Sequence, residues 1–525
     1  MKLYSAAQMR DADTRAAATG VPTAQLMDAA GKGVAHALLE AYPSATHVLL
    51  LCGRGNNGGD GYVAASELSR LGRGVRLYEL EGAGSKPGDA AAARSTFIAD
   101  GGAPEPLTKA SAAALLELLR GPSEGGPTKP TTVVVDALFG TGLARPLEGW
   151  LGNFAQALGS AGAPVLSVDV PSGLNADLAE PIGPHVTADF TVELAGHKPA
   201  ALFYPSRHAY GRRKMIDIGV PPEVLEAASD TEILTAERLA PHYPQLAPDA
   251  HKYSAGTVTV VAGSPEYLGA AELTCRAAWR VGAGLVTLVG LERFAGAWPE
   301  TIFHQHDPGQ WPPPGLEKKR ASSMVVGPGL HRSALGALGF VLEWAPGPVV
   351  LDATALDPRA LNAATGHHAS GPLRGANTVL TPHAGEAARL LAAADPAGSG
   401  DGAALVTRDP LTAARRLAEL YKSVVVLKGP TTAISHPDGR MAVSTRGTPA
   451  LATGGTGDVL AGLIAALLAR PGGADRLFHR ACLGVWLHGY AGELAALQVG
   501  DSLIASDVVA QLPVAVRHLT DQRTA

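Results

Sequence analysis

Cysteine is scarce. Three occur in 525 residues, Cys52, Cys275 and Cys482, an odd and scattered set with neither the pairing of a disulfide framework nor the C-x-x-C spacing of a zinc site. A reducing, cytoplasmic setting is expected, and Cys52, closing the apolar run HVLLLC, reads as a small buried residue. Long apolar runs are also missing. The longest, VLAGLIAALLA at 459–469, is too short to span a bilayer, which takes about 20 residues. The N-terminal MKLYSAAQMRDADTRAAATG lacks the apolar core of a signal peptide. A soluble protein without a membrane partner follows as the expectation. Basic clusters are scarce too: the formal net charge is −5 and no Lys/Arg run exceeds EKKR at 317–320, which argues against nucleic acid as a partner.

What is present is a packed chain, 46% hydrophobic and 17% charged, rather than a disordered one. Its length exceeds the roughly 250–300 residues at which one core stops growing, so two domains are expected. Short β-branched runs alternate with alanine-rich helical stretches throughout: HVLLLC, GVRLYEL, TTVVVDAL, PVLSVDV and ADFTVEL, then TVTVVAG, GLVTLVG, SMVVGPG, PVVLDA, NTVLTP and SVVVLKG. Strands this apolar, separated by helices, imply parallel sheets covered on both faces, hence an α/β fold. The proline-bearing stretch 219–252 has no clear strand and divides the chain into domains of 1–228 and 229–525. Most sequence oddities directly follow a strand, which is where ligands of open α/β sheets bind, so each domain is expected to carry one site.

The first oddity is GRGNNGGDG at 53–61. Gly53, Gly55 and Gly58 satisfy the dinucleotide fingerprint G-x-G-x-x-G, and Glu79 or Glu81 lies at the right distance to hold a ribose. The polar filling points elsewhere. Asn56, Asn57 and Asp60 occupy the place where a pyrophosphate would approach, and a carboxylate there competes with phosphate for the same amides. Asp60 either caps the helix that follows or faces a ligand. Two further strand ends carry Asp136, in VVVDALFGTGLARP, and Asp169 with Ser172, in VLSVDVPSGLNAD. Oxygen donors without His or Cys suit a hard cation. Lys198 lies near another strand end, though most such lysines are solvated.

GRGNNGGDG, DALFGTGL and DVPSGLNAD, in this order, resemble the epimerase domain of the NAD(P)H-hydrate repair enzymes over roughly residues 1–225. The resemblance implies a Rossmann-like three-layer domain and a potassium ion held by Asn57, Asp136 and Ser172. It further implies that hydrated NAD(P)H (NADHX or NADPHX) meets Asn56, Asn57, Gly58, Gly59, Asp60, the run Gly140, Thr141, Gly142, Leu143, Ala144, Arg145 and Pro146, and Asp169. Epimerisation at C6 breaks and remakes a carbon–oxygen bond, and a carboxylate such as Asp169 can serve as the acid/base.

In the second half, ATGGTGDVLAGLIAALLA at 452–469 sets Gly454, Gly455, Thr456 and Gly457 before a strongly apolar helix. Free N–H groups at such a terminus form an anion hole, and the absence of a following Gly-Lys-Ser/Thr excludes a P-loop. Asp458 places a negative charge beside that cradle, where a base for an attacking hydroxyl would explain it better than a cap. VVVLKGPTT adds Lys428, Thr431 and Thr432, and TPHAGE adds His383 and Glu386.

With HKYSAGTVTVVAGS, YLGAAELTCRAAWRVGAGLV and VGPGL, these motifs resemble the ribokinase-like ADP-dependent NAD(P)H-hydrate dehydratase domain over roughly 235–525. That resemblance implies an adenine nucleotide on Lys428, Gly429, Pro430, Thr431, Thr432 and the turn Gly454–Gly457, with Ala270, Gly329, His383 and Asp458 facing the substrate. Mg²⁺ is expected on the nucleotide phosphates, and a homo-oligomer is expected. Two positions depart from the family pattern: Tyr253 adds bulk in HKYSAG, and Thr354 in LDATAL stands where a second acid is usual. The whole chain thus reads as a bifunctional isomerase and lyase. The competing reading is a ribokinase-type small-molecule kinase with a non-catalytic N-terminal ligand-binding domain.

Overall fold

The computed structural model describes residues 1–83, 87–120, 131–307, 310–318, 321–364, 377–394, 402–473 and 475–523; Lys319 and Arg320 of the EKKR run lie outside them. The chain divides into two compact units, Met1–Asp230 and Thr231–Ala525.

The first unit is built on seven parallel strands: β1 (His47–Cys52), β2 (Gly74–Leu80), β3 (Glu105–Leu107), β4 (Thr132–Ala137), β5 (Val165–Val168), β6 (Phe190–Leu194) and β7 (Arg212–Ile216). Their order is β3-β2-β1-β4-β5-β6-β7, with β1 paired to β2 in register His47–Gly74 and to β4 in register His47–Thr132. Alternation within β1 shows why the run had to be apolar throughout. Val48, Leu50 and Cys52 enter one core cluster, while Leu49 and Leu51 enter another on the opposite face. The result is three layers, helices on both sides of the sheet. Strand order reverses between β1 and β4, and the crevice beyond their carboxyl ends is the binding position of such sheets.

The glycines after β1 are demanded by packing. A β-carbon on Gly53 would lie 1.7 Å from the Leu138 carbonyl oxygen, and one on Gly58 would lie 2.2 Å from the Gly53 oxygen. The helix Asn56–Arg70 can therefore start directly against the strand ends.

The second unit carries β8 (Thr231–Ile233), β9 (Thr257–Val261), β10 (Leu285–Gly290), β11 (Ile302–Gln305), β12 (Ser323–Val326), β13 (Val349–Leu351), β14 (Thr378–Leu380), β15 (Val424–Leu427), β16 (Thr432–Ser435) and β17 (Met441–Ser444). The order is β11-β10-β9-β12-β13-β14-β15-β16-β17-β8. Pairing is parallel from β11 to β15, and β16 runs antiparallel to both β15 and β17. The helix Thr456–Ala469 is buried at every position from Val459 onward, so its long apolar run is a core helix. It packs closely on the helix Leu268–Arg280 because Gly462 has no side chain: a β-carbon there would lie 2.1 Å from the Thr274 oxygen. Among the described residues no helix is long and apolar enough to cross a membrane.

The edge strands β3, β7, β8 and β11 and the hairpin β16–β17 were not expected from the sequence. Edge strands need no uninterrupted apolar run, and RRKMI of β7 carries three basic residues.

Candidate active sites

In the first unit, Asp136 near the end of β4 is fully buried. Its carboxylate accepts hydrogen bonds from the Ser167 hydroxyl (2.8 Å), the Ser172 hydroxyl (2.5 Å) and the N–H groups of Ser172 (2.9 Å) and Leu138 (3.3 Å). No basic side chain pairs with it among the described residues, and burial raises its pKa despite those four donors. The Ser172 hydroxyl oxygen also accepts the Phe139 N–H at 2.8 Å. Next along that turn, Gly140 backs the Asn57 amide, and a β-carbon on Gly140 would lie 3.1 Å from Asn57 Oδ1. Asn57 Nδ2 is buried without a partner. The Asn57 amide oxygen, the Ser172 hydroxyl oxygen and the buried, uncompensated Asp136 carboxylate are the oxygen ligands that would fit a monovalent cation.

Asp169 directly follows β5 with φ at +64°, a left-handed conformation uncommon for a non-glycine residue. The fold enforces it: the Asp169 N–H donates to the Val192 oxygen (2.8 Å), and Oδ1 accepts the Leu194 N–H (3.0 Å). The same oxygen is ion-paired with Lys198, whose Nζ also donates to the Leu194 oxygen at 2.8 Å. Lys198 is 1% exposed, so it is a member of the site and not a solvated lysine. The signal in the sequence was its company, since Pro199, Ala200, Ala201 and Leu202 are all buried.

Asp60 does not cap a helix. The helix begins at Asn56 with Gly55 in the capping position, which leaves Asp60 buried inside its first turns. Burial, then the charges of Asp169 and Asp13, push its pKa well up, with Lys198 opposing. Asn56, Asn57, Asp60, Gly140, Thr141, Gly142, Leu143 and Asp169 line one cavity of about 1040 Å³, together with Asp13 and Lys198. Gly58 and Gly59 lie beneath it, packed against Gly53 and Met27, and Ala144, Arg145 and Pro146 are outside its lining. Glu79 is held by Arg94 through two bonds of 2.7 Å and by the Tyr62 hydroxyl at 2.6 Å, so it is not free for a ribose, whereas Glu81 lines the cavity.

In the second unit the central feature is an ion pair between strand ends. Lys428, after β15, places Nζ 2.7 Å from Oδ1 of Asp352, which follows β13. The Thr381 hydroxyl donates to the same oxygen at 2.8 Å. Burial works against the Lys428 ammonium, but the charge and hydrogen bond of Asp352 prevail and raise its pKa. Asp352 was not among the expected site residues, although it occupies the same strand-end position as Asp136 and Asp169. His383 forms a parallel bridge to Lys428; its side chain is exposed, and Nδ1 accepts the Gly385 N–H at 3.0 Å, so it also caps the helix Ala384–Ala394.

Gly455, with φ at +91°, turns the chain into the helix starting at Thr456. That terminus is pinned by the Thr456 hydroxyl donating to the Leu451 oxygen (3.1 Å) and by His488 Nε2 on the Thr456 oxygen (2.9 Å). Burial lowers the His488 pKa to about 4, so the ring is neutral. Gly457 abuts the ion pair, its would-be β-carbon 3.4 Å from Lys428 Nζ. Asp458 is half-buried, and its pKa is pushed up to about 7 by burial first and by the charge of Asp352 second, with Lys428 opposing. The Thr274 hydroxyl lies within 2.8 Å of the Ala270 oxygen and 3.3 Å of the Asp458 oxygen. A β-carbon on Gly329 would lie 2.9 Å from that of Ala270. Ala270, Gly329, Asp458, Gly457, Lys428 and His383 are thus brought into one neighbourhood. In the loop between β15 and β16, Thr431 is buried and the Thr432 hydroxyl donates to the Gly429 oxygen at 3.3 Å. Tyr253 is exposed, so its bulk faces outward. Among the described residues no group of three or more His, Cys, Asp or Glu is arranged to hold a metal.

A family model described as NAD(P)H-hydrate dehydratase matches residues 258–513, and one described as YjeF-related protein N-terminus matches residues 23–200. A Thermofilum pendens protein named bifunctional NAD(P)H-hydrate repair enzyme Nnr is 33% identical over 537 residues, covering 99% of this chain and 97% of its own. A Coxiella burnetii protein of the same name is 34% identical over 529 residues, covering 98% and 99%. Among solved structures, the ADP/ATP-dependent NAD(P)H-hydrate dehydratase of Bacillus subtilis, co-crystallised with ATP and Mg²⁺, is 28% identical and covers 55% of this chain and 98% of its own, with a TM-score of 0.47.

Proposed function

The chain belongs to the family of bifunctional NAD(P)H-hydrate repair enzymes, and from that premise we propose that residues 1–228 interconvert the R and S forms of hydrated NAD(P)H while residues 229–525 dehydrate the S form, consuming ADP and yielding AMP and phosphate. The observation that carries this reading is Asp458: a carboxyl with a pKa near 7, outside the Lys428–Asp352 pair, beside a glycine turn at a helix N-terminus.

Hydroxide is a poor leaving group and phosphate a good one. Asp458, as the carboxylate, takes the proton of the C6 hydroxyl while its oxygen attacks the β-phosphorus of ADP and AMP departs. The ring nitrogen's lone pair then expels phosphate, and loss of a proton from the neighbouring carbon restores the double bond. N–H groups of the Gly454–Gly457 turn and the Lys428 ammonium stabilise charge on the transferring group. The protein offers no carboxylate cluster for Mg²⁺ among the described residues, so the ion would enter on the nucleotide phosphates, where it neutralises charge.

In the first unit, Asp169 is the acid/base for breaking and remaking the C6–O bond. Asn57, Asp136 and Ser172 would hold K⁺, which supplies a positive charge next to the Asp136 carboxylate. The reading includes a cytoplasmic homo-oligomer acting on small molecules, in keeping with three buried, unpaired cysteines.

The test mixes both NADHX epimers with ADP, Mg²⁺ and K⁺ and follows NADH absorbance. Wild type is expected to convert all of the mixture, Asp458→Asn none of it, and Asp169→Asn only the S form before stalling. Nucleotide consumption with another alcohol and no rise in NADH would overturn the reading in favour of a kinase.

A further inference from the structure

The first unit's cavity holds more proton chemistry than Asp169 alone. Asp169 carries an ion pair and a backbone hydrogen bond on one oxygen. Asp13 lines the same cavity and has no hydrogen-bond or ion-pair partner among the described residues. It sits on the helix Ala6–Ala18, ahead of the residues 23–200 matched by the family model. We propose that Asp13 is the second proton-handling residue of the epimerisation, giving a proton to the C6 hydroxyl as it leaves while Asp169 takes one from the water that returns. The proposal rests on the epimerase reading above and adds to it a residue from the N-terminal helix.

The position of that helix is fixed by the segment that delivers Lys198. Leu3 bridges His197 in parallel, and the Tyr4 N–H donates to the His197 oxygen at 2.9 Å. Gly196 leaves room for the Tyr4 ring, since a β-carbon there would lie 2.5 Å from it. The Ala6 N–H then donates to the Asp177 carboxylate at 2.7 Å. Met9, Ala12 and Ala16 bury the inner stripe, which leaves Asp13 half-buried beside it with Met9 and Arg10 at the cavity wall. The ionisable groups facing Asp13 are Lys198, Asp169 and Asp60. Burial raises the Asp13 pKa, Lys198 opposes this and the Asp169 charge adds to it.

Three carboxyls around one ammonium cannot all be ionised without a net negative charge in a partly desolvated space. Splitting the roles between a partnered carboxylate and an unpartnered acid is the arrangement by which carboxyl pairs divide acid and base work. The step balances. The C6–O bond breaks with the proton of Asp13 leaving in water, and the ring nitrogen's lone pair forms a C=N bond. Water then adds to C6 from the opposite face and loses its proton to Asp169. Each passage moves one proton from Asp13 to Asp169, and exchange with cavity water resets the pair.

The experiment uses the full chain with the R epimer, ADP, Mg²⁺ and K⁺, with direct dehydration of the S epimer as the internal control. Asp13→Asn is expected to lower R-form conversion about 100-fold or more through kcat with little change in KM, to leave S-form dehydration unchanged, and to remove the alkaline limb from the pH profile of epimerisation. Asp13→Glu, which keeps the acid, should retain that limb. Wild-type conversion by Asp13→Asn would overturn the proposal, as would a slower rate whose pH profile keeps both limbs, because a packing role would slow the step without removing a titration. If Asp13→Asn does not fold, Asp13→Glu decides, and loss of its alkaline limb counts against the proposal. A wild-type protein that never consumes the R form overturns the epimerase reading itself.

Discussion

Each unit places a lysine from one strand end on an aspartate from another, yet the two pairs are used differently. In the first unit Lys198 pairs with Asp169, the proposed acid/base itself, and both are deeply buried. In the second, Lys428 pairs with Asp352, and the proposed base Asp458 stands apart. Burial and the Asp352 charge then lift Asp458 to about 7. Similar residues therefore produce two kinds of carboxylate: one held by an ammonium, with its proton partner elsewhere in the cavity, and one left to titrate near neutrality. The first suits a step in which a proton must go out and come back. The second suits a single deprotonation of a hydroxyl.

Removing Asp458 should break the comparison most completely. Asp458→Asn is expected to lower dehydration by about 10²–10⁴-fold while R and S forms still interconvert, observable by chromatography of the epimers without any rise in NADH. The next effect is on stability. Lys198→Met leaves Asp169 without its cation in a site where the two side chains are 2% and 11% exposed, and should cost the first unit about 3–5 kcal/mol. Lys428→Met should cost its unit a similar amount: the lysine is 20% exposed, but the Asp352 carboxylate it leaves behind is only 3% exposed. Calorimetry of the two variants checks this; a loss below about 1 kcal/mol in either would mean that water screens its orphaned carboxylate.

The pH dependence sharpens the contrast. Asp458 accepts a proton only as the carboxylate, so dehydration measured as kcat/KM should rise with pH, about tenfold per unit, until it levels near pH 7. Asp352→Asn removes a negative charge and frees Lys428 to act on Asp458. Both changes favour the carboxylate, so the acid limb should move to lower pH. A limb that stays in place would show that Asp352 is not what raises Asp458.

How far these sites were legible in the sequence follows the same physics. Central strands carry apolar or β-branched residues on both faces, so β1, β4, β9 and β12 stand out, and the polar residues that end or follow strands are conspicuous: Asp136, Asp169, Ser172 and Lys428. Pairing across the sheet was not legible. Nothing in LDATAL says that Asp352 meets a lysine 76 positions later. Asp13 lies in MRDADTR, a stretch that reads as a solvated helical face, and long-range contacts such as the Leu3–His197 bridge and the Ala6–Asp177 hydrogen bond bring it to the cavity. Edge strands were missed because one exposed side allows them polar residues.

The smallest effect concerns glycine and tests the two loops against each other. Most glycines after β1 are required by the fold, as the contacts at Gly53 and Gly58 show. Gly55 and Gly454 are not: a β-carbon on either meets nothing within 4 Å, and neither holds a positive φ. Packing therefore gives no reason for glycine at either place, whereas a ligand approaching the backbone would. Gly454→Ala should leave unfolding within about 0.5 kcal/mol of wild type, and Gly55→Ala, at the capping position of its helix, should cost about 1 kcal/mol. Gly454→Ala should raise KM for ADP several-fold without altering epimerisation, and Gly55→Ala should raise KM for the R epimer without altering dehydration of the S form. Unchanged KM values in both would mean that these turns do not approach a ligand and that nothing in either site requires the missing side chains.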